Sequence, residues 1–327
     1  MSDVSVLTIC AGRRDHLVNV IKGLCEQEVP PSELVIGVMQ DELYRDLPRA
    51  GFPIRQIAVP PGSEGLPLAH ARNEVANAAR GDLLVFVDVD CIPSRRLIAD
   101  YAEQARSHSG LFMGEVRYLP AHATDAGIDE ARFKELSVRH SDRRGPPEEG
   151  VEPCRDYRCF WSLNFAMRAQ DWRQSGGFDE RFVGYGGEDT DFGKTLAEKG
   201  MPIWWQKGAR VYHQYHAHCM PPIHHMRSVI RNAELFAEKW GYRTMEHWLH
   251  AFRLLGLIRN TPGGLEIMRE PGPEDFELCR QQAHQPYANT RKVIDMLEQR
   301  HCEGADELER QREVARAEAD MIDIAAE

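Results

Sequence analysis

Residues 4–10 form an unbroken apolar, β-rich run that stops at Ala11-Gly12-Arg13-Arg14. Apolar positions then recur at helical spacing from about Leu17 to Glu26, and short apolar runs follow at 34–39 and 54–59, the latter closed by Pro60-Pro61-Gly62. The Ala-rich stretch "LAHARNEVANAAR", 68–80, reads as a helix, which Gly81-Asp82 turns into a strand at 83–88. Strands alternating with helices in this way predict a mostly parallel sheet with crossover helices. Ligands bind such sheets beyond the carboxyl ends of the strands. Those ends carry Arg13 and Arg14 after the first strand, and Asp88 and Asp90 after the strand at 83–88.

Further along, "SDRRGPPEEGVEP" at 141–153 is charged, rich in Pro and Gly, and predicts a loop. Strand-like and helical pieces resume through about 218, and from 223 onward the pattern is helical, as in "RSVIRNAELFAEKW". Beyond Pro271 the chain is strongly charged, and 293–326 predicts one or two polar helices, a solvated appendage or an oligomerisation arm. The expected organisation is an α/β domain over 1–222, in two halves that meet at about residue 120. A helical extension is expected over 223–327.

Composition narrows the function classes. A formal charge of −11 argues against a nucleic-acid binder, which would present a basic face. It leaves room for an anionic ligand in a local Arg pocket. The eight cysteines, at 10, 25, 91, 154, 159, 219, 279 and 302, show no framework spacing, so reduced thiols and a cytoplasmic protein are expected. No apolar run reaches the ~20 residues of a spanning helix, and the first residues lack a signal-peptide pattern. Association at a membrane surface is left open.

Three clusters carry chemistry. In "LLVFVDVDCIPS", 83–94, two aspartates one residue apart end an apolar strand. If strand geometry persists, Asp88 and Asp90 face the same side and converge on one ligand. Converging carboxylates repel unless a cation neutralises them, and oxygen donors favour Mg²⁺ or Mn²⁺. Next, "GGFDERFVGYGGEDTDFGKTLAEKG", 176–200, places Glu188, Asp189 and Asp191 behind a Gly-Gly pair at the start of a helix. N-terminal capping accounts for one such acid, not three. A carboxylate whose pKa is raised near a diphosphate is a good general base. Third, "ARVYHQYHAHC" carries His213, His216 and His218. In a strand, His216 and His218 share a face and His213 takes the other. Cys154, Cys159 and Cys219 form no compact quartet with these histidines, so structural zinc is not expected. Arg13, Arg14 and Arg72, near the strand ends, are suited to diphosphate oxygens.

In their order along about residues 3–245, "TICAGRRDHL", "ARNEVANAARGDLLVFVDVDCIPS", "WSLNFAMRAQDWRQSGGFDERFVGYGGEDTDFGKTLAEKG", "ARVYHQYH" and "NAELFAEKWG" resemble the inverting nucleotide-diphosphate-sugar glycosyltransferases of the GT-A fold, family 2 in particular. The resemblance implies a Rossmann-like, mostly parallel sheet flanked by helices, with a donor half at about 1–120 and an acceptor half at about 121–222. It implies that Asp90 binds Mn²⁺ or Mg²⁺, that Asp88 contacts ribose or the metal shell, and that His213 is the third ligand, with His216 the close rival. Asp189 would be the base and Glu188 would orient the acceptor. Arg14 and Arg72 would face the nucleotide or diphosphate, and Trp161 and Asn164 would line the sugar and acceptor pocket. The family's second strand usually ends in a base-reading aspartate; here "VIGVMQDELY" offers Gln40 or Asp41, and uridine is the family default. The acceptor, whether glycan, lipid carrier, peptide or small molecule, is not legible. The rival expectation is a haloacid dehalogenase-type phosphatase, which "FVDVDCI" resembles locally, with Asp88 as nucleophile.

Overall fold

The computed structural model describes residues 3–300. They divide into two compact units, one made of the chain up to 217 with 225–245 and 281–287, the other of 218–224, 246–280 and the chain from 288.

The first unit opens with β1 (Val4–Cys10), α1 (Arg14–Cys25), β2 (Glu33–Val38), β3 (Ile54–Ala58), α2 (Leu68–Ala78) and β4 (Leu83–Val87), as the alternating pattern predicts. Then come β5 (Cys91–Pro93), α3 (Leu97–Gln104), β6 (Leu111–Met113), β7 (Val116–Tyr118), α4 (Glu130–Leu136), β8 (Val151–Pro153), β9 (Asn164–Arg168) and α5 (Ala169–Ser175). It ends with α6 (Glu188–Glu198), β10 (Ile203–Gln206), β11 (Val211–His213) and α7 (Met226–Trp240). Eight strands make one sheet in the order β3-β2-β1-β4-β9-β6-β10-β8. The first four are parallel, β9 runs antiparallel between β4 and β6, and β8 is an antiparallel edge.

The sheet has two apolar faces, and its central strand β4 is apolar at every position. In β4, Leu83, Val85 and Val87 pack with α1 residues Leu17, Val20 and Ile21. Leu84 and Phe86 face the opposite way, towards Ala71 and Val75 of α2 and Phe192 and Leu196 of α6. A strand apolar on both sides is what a sheet covered on both faces requires. A second, three-stranded sheet, β5-β11-β7, lies in the same unit. There β5, three residues past Asp88, pairs antiparallel with β11, so Cys91 stands opposite His213.

The boundary expected at residue 222 is not where the chain divides, because α7 belongs to the first unit. Asp191, 1% exposed, accounts for this: its carboxylate accepts hydrogen bonds from Lys239 Nζ (2.8 Å) and Trp240 Nε1 (2.7 Å) at the end of α7. Asp191→Ala would strand a part-buried ammonium and an indole N–H. It is expected to lower unfolding free energy by roughly 2–4 kcal/mol, read from the denaturant midpoint at unchanged m-value.

The second unit contains α8 (Glu246–Leu254), an antiparallel hairpin of β12 (Ile258–Thr261) and β13 (Gly264–Ile267), and α9 (Pro273–Cys279). The all-helical expectation for this region misses the hairpin. Its signal is Pro262-Gly263, a two-residue turn between short runs that can pair. Residues 290–300 are helical, and the rest of the predicted polar helices, with the oligomerisation arm, lies outside the described residues. The seven described cysteines are all unpaired. Among the described residues no helix is long and apolar enough to cross a membrane.

Candidate active site

The Asp88/Asp90 pair does not sit on one strand. β4 ends at Val87, the chain turns, and the Cys91 amide donates to the Asp88 carbonyl (2.9 Å). Asp88 Oδ1 accepts its neighbour Val89's amide (2.7 Å), which turns that carboxylate back on the loop. Period-two convergence therefore fails, and the two acids have different surroundings.

Asp90 is 4% exposed and meets both rival histidines. His213 Nε2 lies 3.4 Å from its Oδ1 and His216 Nε2 lies 3.2 Å from its Oδ2. Asp90, His213 and His216 each offer a ligand atom within 4.8 Å of the others, the one such group among the described residues. The strand expectation that put His213 opposite His216 is corrected, since β11 stops at His213 and the following loop folds His216 back. His218 lies in the other unit. Arg13 completes the cluster, with Nη1 2.6 Å from Asp90 Oδ2. Burial opposes ionising Asp90, but His213, His216 and Arg13 outweigh it and hold the carboxyl well below the ordinary carboxylate range. Asp88, next to that charge, moves the other way: burial and the Asp90 carboxylate push it up to about 6, against the pull of Arg72 and Arg13.

Arg13, rather than Arg14, reaches these acids. Arg13 precedes α1 in a left-handed conformation (φ 43°) after Gly12 (φ 61°), and Gln40 Oε1 braces the turn by accepting the Gly12 amide (2.8 Å). A non-glycine residue held left-handed costs on the order of 1 kcal/mol and persists where the surroundings require it. Arg14 points elsewhere and donates to the Asp46 carbonyl (2.8 Å). Gln40 Nε2 is also engaged, on the Glu42 carbonyl, while Asp41 is exposed.

The three acids that open α6 do three different things. Gly186 and Gly187, at φ 89° and 91°, allow the turn that sets the first helical residues into the site, where a Cβ would be strained. Glu188, 5% exposed, pairs through Oε1 with Arg72 Nη1 (3.1 Å), and its Oε2 is buried with no hydrogen-bond partner. Arg72, 6% exposed, also lies over the Phe178 ring and draws on the charges of Asp88 and Asp189. Asp189 is half-buried; desolvation and then the Glu188 charge push its carboxyl up to about 7, with Arg72 and the Thr190 and Ser162 amides acting against them. Asp191 faces the protein interior, as described above.

Asn164 is 1% exposed, and its amide is spent on Tyr101 Oη and the Ala209 and Glu115 carbonyls. It holds strands together rather than facing a pocket. Trp161 is half-buried on the loop before β9, edge-on to His140. Sequence reasoning missed Tyr185: its hydroxyl is pushed up by burial and by the charges of Glu188, Asp189, Asp88 and Asp90, which places it among all four carboxylates. His225 stacks on it at 4.7 Å, and His16 lies edge-on to His216 at 6.3 Å. Only the tyrosine's position two residues before the Gly-Glu-Asp turn marked it in the sequence.

The chain is similar to several known proteins. The family model described as the N-terminal domain of galactosyltransferase matches residues 149–217, the stretch that carries Asp189, His213 and His216. A validoxylamine A glucosyltransferase of Streptomyces hygroscopicus subsp. limoneus is 48% identical over 220 residues, covering 58% of this chain and 47% of that protein. Its namesake from S. hygroscopicus subsp. jinggangensis (strain 5008) is 48% identical over 164 residues, covering 42% and 37%. The chain thus spans less than half the length of either relative. Among solved structures, GalNAc-T7 with UDP, GalNAc and Mn²⁺ matches with a TM-score of 0.50 at 13% identity, over 78% of this chain and 51% of that one, a likeness of fold. The phosphatase alternative finds no support: Asp88 is bound back to its own loop, and the matches lie with glycosyltransferases. The sheet is that of the GT-A fold, and the relatives the chain resembles are named glucosyltransferases.

Proposed function

We propose that this chain is a metal-dependent, inverting glycosyltransferase, close to family 2, that moves a hexosyl group from a UDP-sugar to an acceptor nucleophile by single displacement. The observation that carries this reading is a carboxylate–imidazole–imidazole group, Asp90, His213 and His216, in the same unit as an acid whose proton affinity is tuned to neutral pH, Asp189. The donor set fits a divalent cation: three ligand atoms already face one another, and a positive charge, the Arg13 guanidinium, already lies against Asp90. Two imidazoles beside one carboxylate favour Mn²⁺ over Mg²⁺. Bound there, the cation would neutralise charge on the departing diphosphate.

The chain's own residues supply the rest. Arg13 is a fixed cation for diphosphate oxygens, and Arg72 holds Glu188 in place. Glu188 Oε2, buried and unpartnered, is an acceptor suited to a substrate hydroxyl. Asp189, unprotonated above about pH 7, accepts the nucleophile's proton as it attacks the anomeric carbon, and a single attack inverts that centre. Residues up to about 120 are assigned to the donor and those from 121 to the acceptor. Uridine and glucose are proposed because the relatives are named glucosyltransferases and the structural neighbour was crystallised with UDP.

Incubation with Mn²⁺ and a panel of UDP- and GDP-hexoses tests the reading. UDP release that disappears in Asp90→Ala and Asp189→Asn is the expected result. Phosphate release from simple esters, with no turnover of any nucleotide sugar, would overturn it.

A further inference from the structure

Residues 139–146 and the strand β10 border a small cleft that opens to solvent, lined by His140, Arg143, Trp205 and Gln206 among others. Its charges are nearly all accounted for. Arg139 and Arg210 both hold Glu115, at 3.0 and 2.6 Å, and Arg144 pairs with Glu152. Burial lowers His140 to about 4, so it is neutral at ordinary pH. Arg143 is the remainder. Its guanidinium lies over the Trp161 ring at 5.0 Å and the Trp205 ring at 5.6 Å, no carboxylate pairs with it, and Nη1 is shut off from solvent without a hydrogen-bond partner.

A second buried polar atom, on a residue that lines the cleft, also lacks a partner. Gln206 is 1% exposed; its Nε2 donates to the Asp100 carbonyl (2.7 Å), and its Oε1 is buried with no donor. A buried donor and a buried acceptor left unmade each cost about 1–3 kcal/mol, the charged one more. The cleft therefore offers one strong site for an anion and one for a hydroxyl. It also connects to the metal-ligand cluster through rings: His140 lies 5.5 Å from Tyr118, which stacks on His213 at 4.8 Å.

We infer that this cleft is an acceptor subsite for a sugar bearing an anionic group, a phosphate or a carboxylate, whose charge pairs with Arg143 while a hydroxyl donates to Gln206. The inference rests on the glycosyltransferase reading for the word acceptor, and on the cleft alone for the ligand chemistry. A guanidinium fork presents paired N–H groups to the oxygens of either anion, and the two tryptophan faces hold its plane.

The test is calorimetric titration of the full chain, without added metal and at constant ionic strength, with inorganic phosphate, glucose 6-phosphate, glucuronate and glucose. Binding of one of the two charged sugars is expected to weaken at least 10-fold in Arg143→Met and in Gln206→Glu, whose new carboxylate would occupy the guanidinium. Arg173→Gln, an exposed site with the same loss of charge, is expected to bind like the parent. The tighter of glucose 6-phosphate and glucuronate names the anion. Equal affinity in the parent and both cleft variants, or glucose bound as tightly as the charged sugars, would overturn the inference. Should Arg143→Met fail to fold, Gln206→Glu decides alone. UDP release from a nucleotide sugar with no Arg143-dependent anion binding removes the subsite only. Arg143-dependent binding with no nucleotide-sugar turnover removes the transferase reading and leaves the site standing.

Discussion

Asp189→Asn is expected to lower kcat by about 10²–10⁴-fold, the usual contribution of a positioned general base, and at the same time to stabilise the protein at pH 8. Both effects have one origin. Burial and the neighbouring Glu188 push the Asp189 carboxyl up to about 7, so the folded chain carries an ionised group it would rather protonate. A carboxyl whose folded pKa lies above its unfolded value binds more protons in the native state between those values. Stability therefore falls as pH rises from about 4 to about 7, and the full penalty, on the order of 1–4 kcal/mol, persists above that. The asparagine variant lacks this slope. Its unfolding midpoint is expected to match the parent near pH 4 and to exceed it at pH 8. In the parent, kcat/KM is expected to climb with unit slope to a plateau with its midpoint near pH 7. A variant that loses activity and also loses stability at pH 8 would place Asp189 among structural groups and leave the base unassigned.

Asp90→Ala is expected to abolish measurable turnover and to weaken Mn²⁺ binding by at least about 100-fold, beyond the 10- to 100-fold typical of losing an outer-shell partner. Isothermal titration with Mn²⁺ reads this without reference to catalysis. The physical basis is that one carboxylate meets both imidazoles and the Arg13 guanidinium. Removing it leaves two histidines with no shared anion and a guanidinium whose strained backbone position has lost its partner. His213→Ala and His216→Ala should each weaken Mn²⁺ binding less than Asp90→Ala. Cation binding that survives Asp90→Ala would move the metal centre elsewhere.

The division of labour in the first turn of α6 was half visible beforehand. Three acids behind two glycines exceed what helix capping needs, and that excess is local information. Which acid does which job is not. Glu188 is defined by Arg72, 116 residues earlier, and Asp191 by Lys239 and Trp240, 48 and 49 residues later. Asp189 has no ion pair of its own among the described residues, and for that reason it is the acid the proposed reaction uses as base. The same holds at the other end of the site. The Gly12-Arg13-Arg14 run announced a cationic turn, but only the left-handed backbone at Arg13 decided which side chain reaches Asp90 and which one runs off to Asp46.

Where interactions are short-range, periodicity and motif were sufficient. Alternating strands and helices, apolar positions on both sides of β4, the double glycine and the three chemical clusters are all set by residues within a turn or a strand of one another. Asp88 and Asp90 were misplaced by the same reasoning, because strand periodicity assumes that the strand continues. Here an aspartate side chain takes the next amide and ends it. The choice of both histidines, the presence of Tyr185 among four carboxylates and the unpaired Arg143 over two tryptophans depend on segments that meet only when the sheets form. Charge pairing and desolvation act through space, so their outcome belongs to the packed chain and not to the spacing of residues along it.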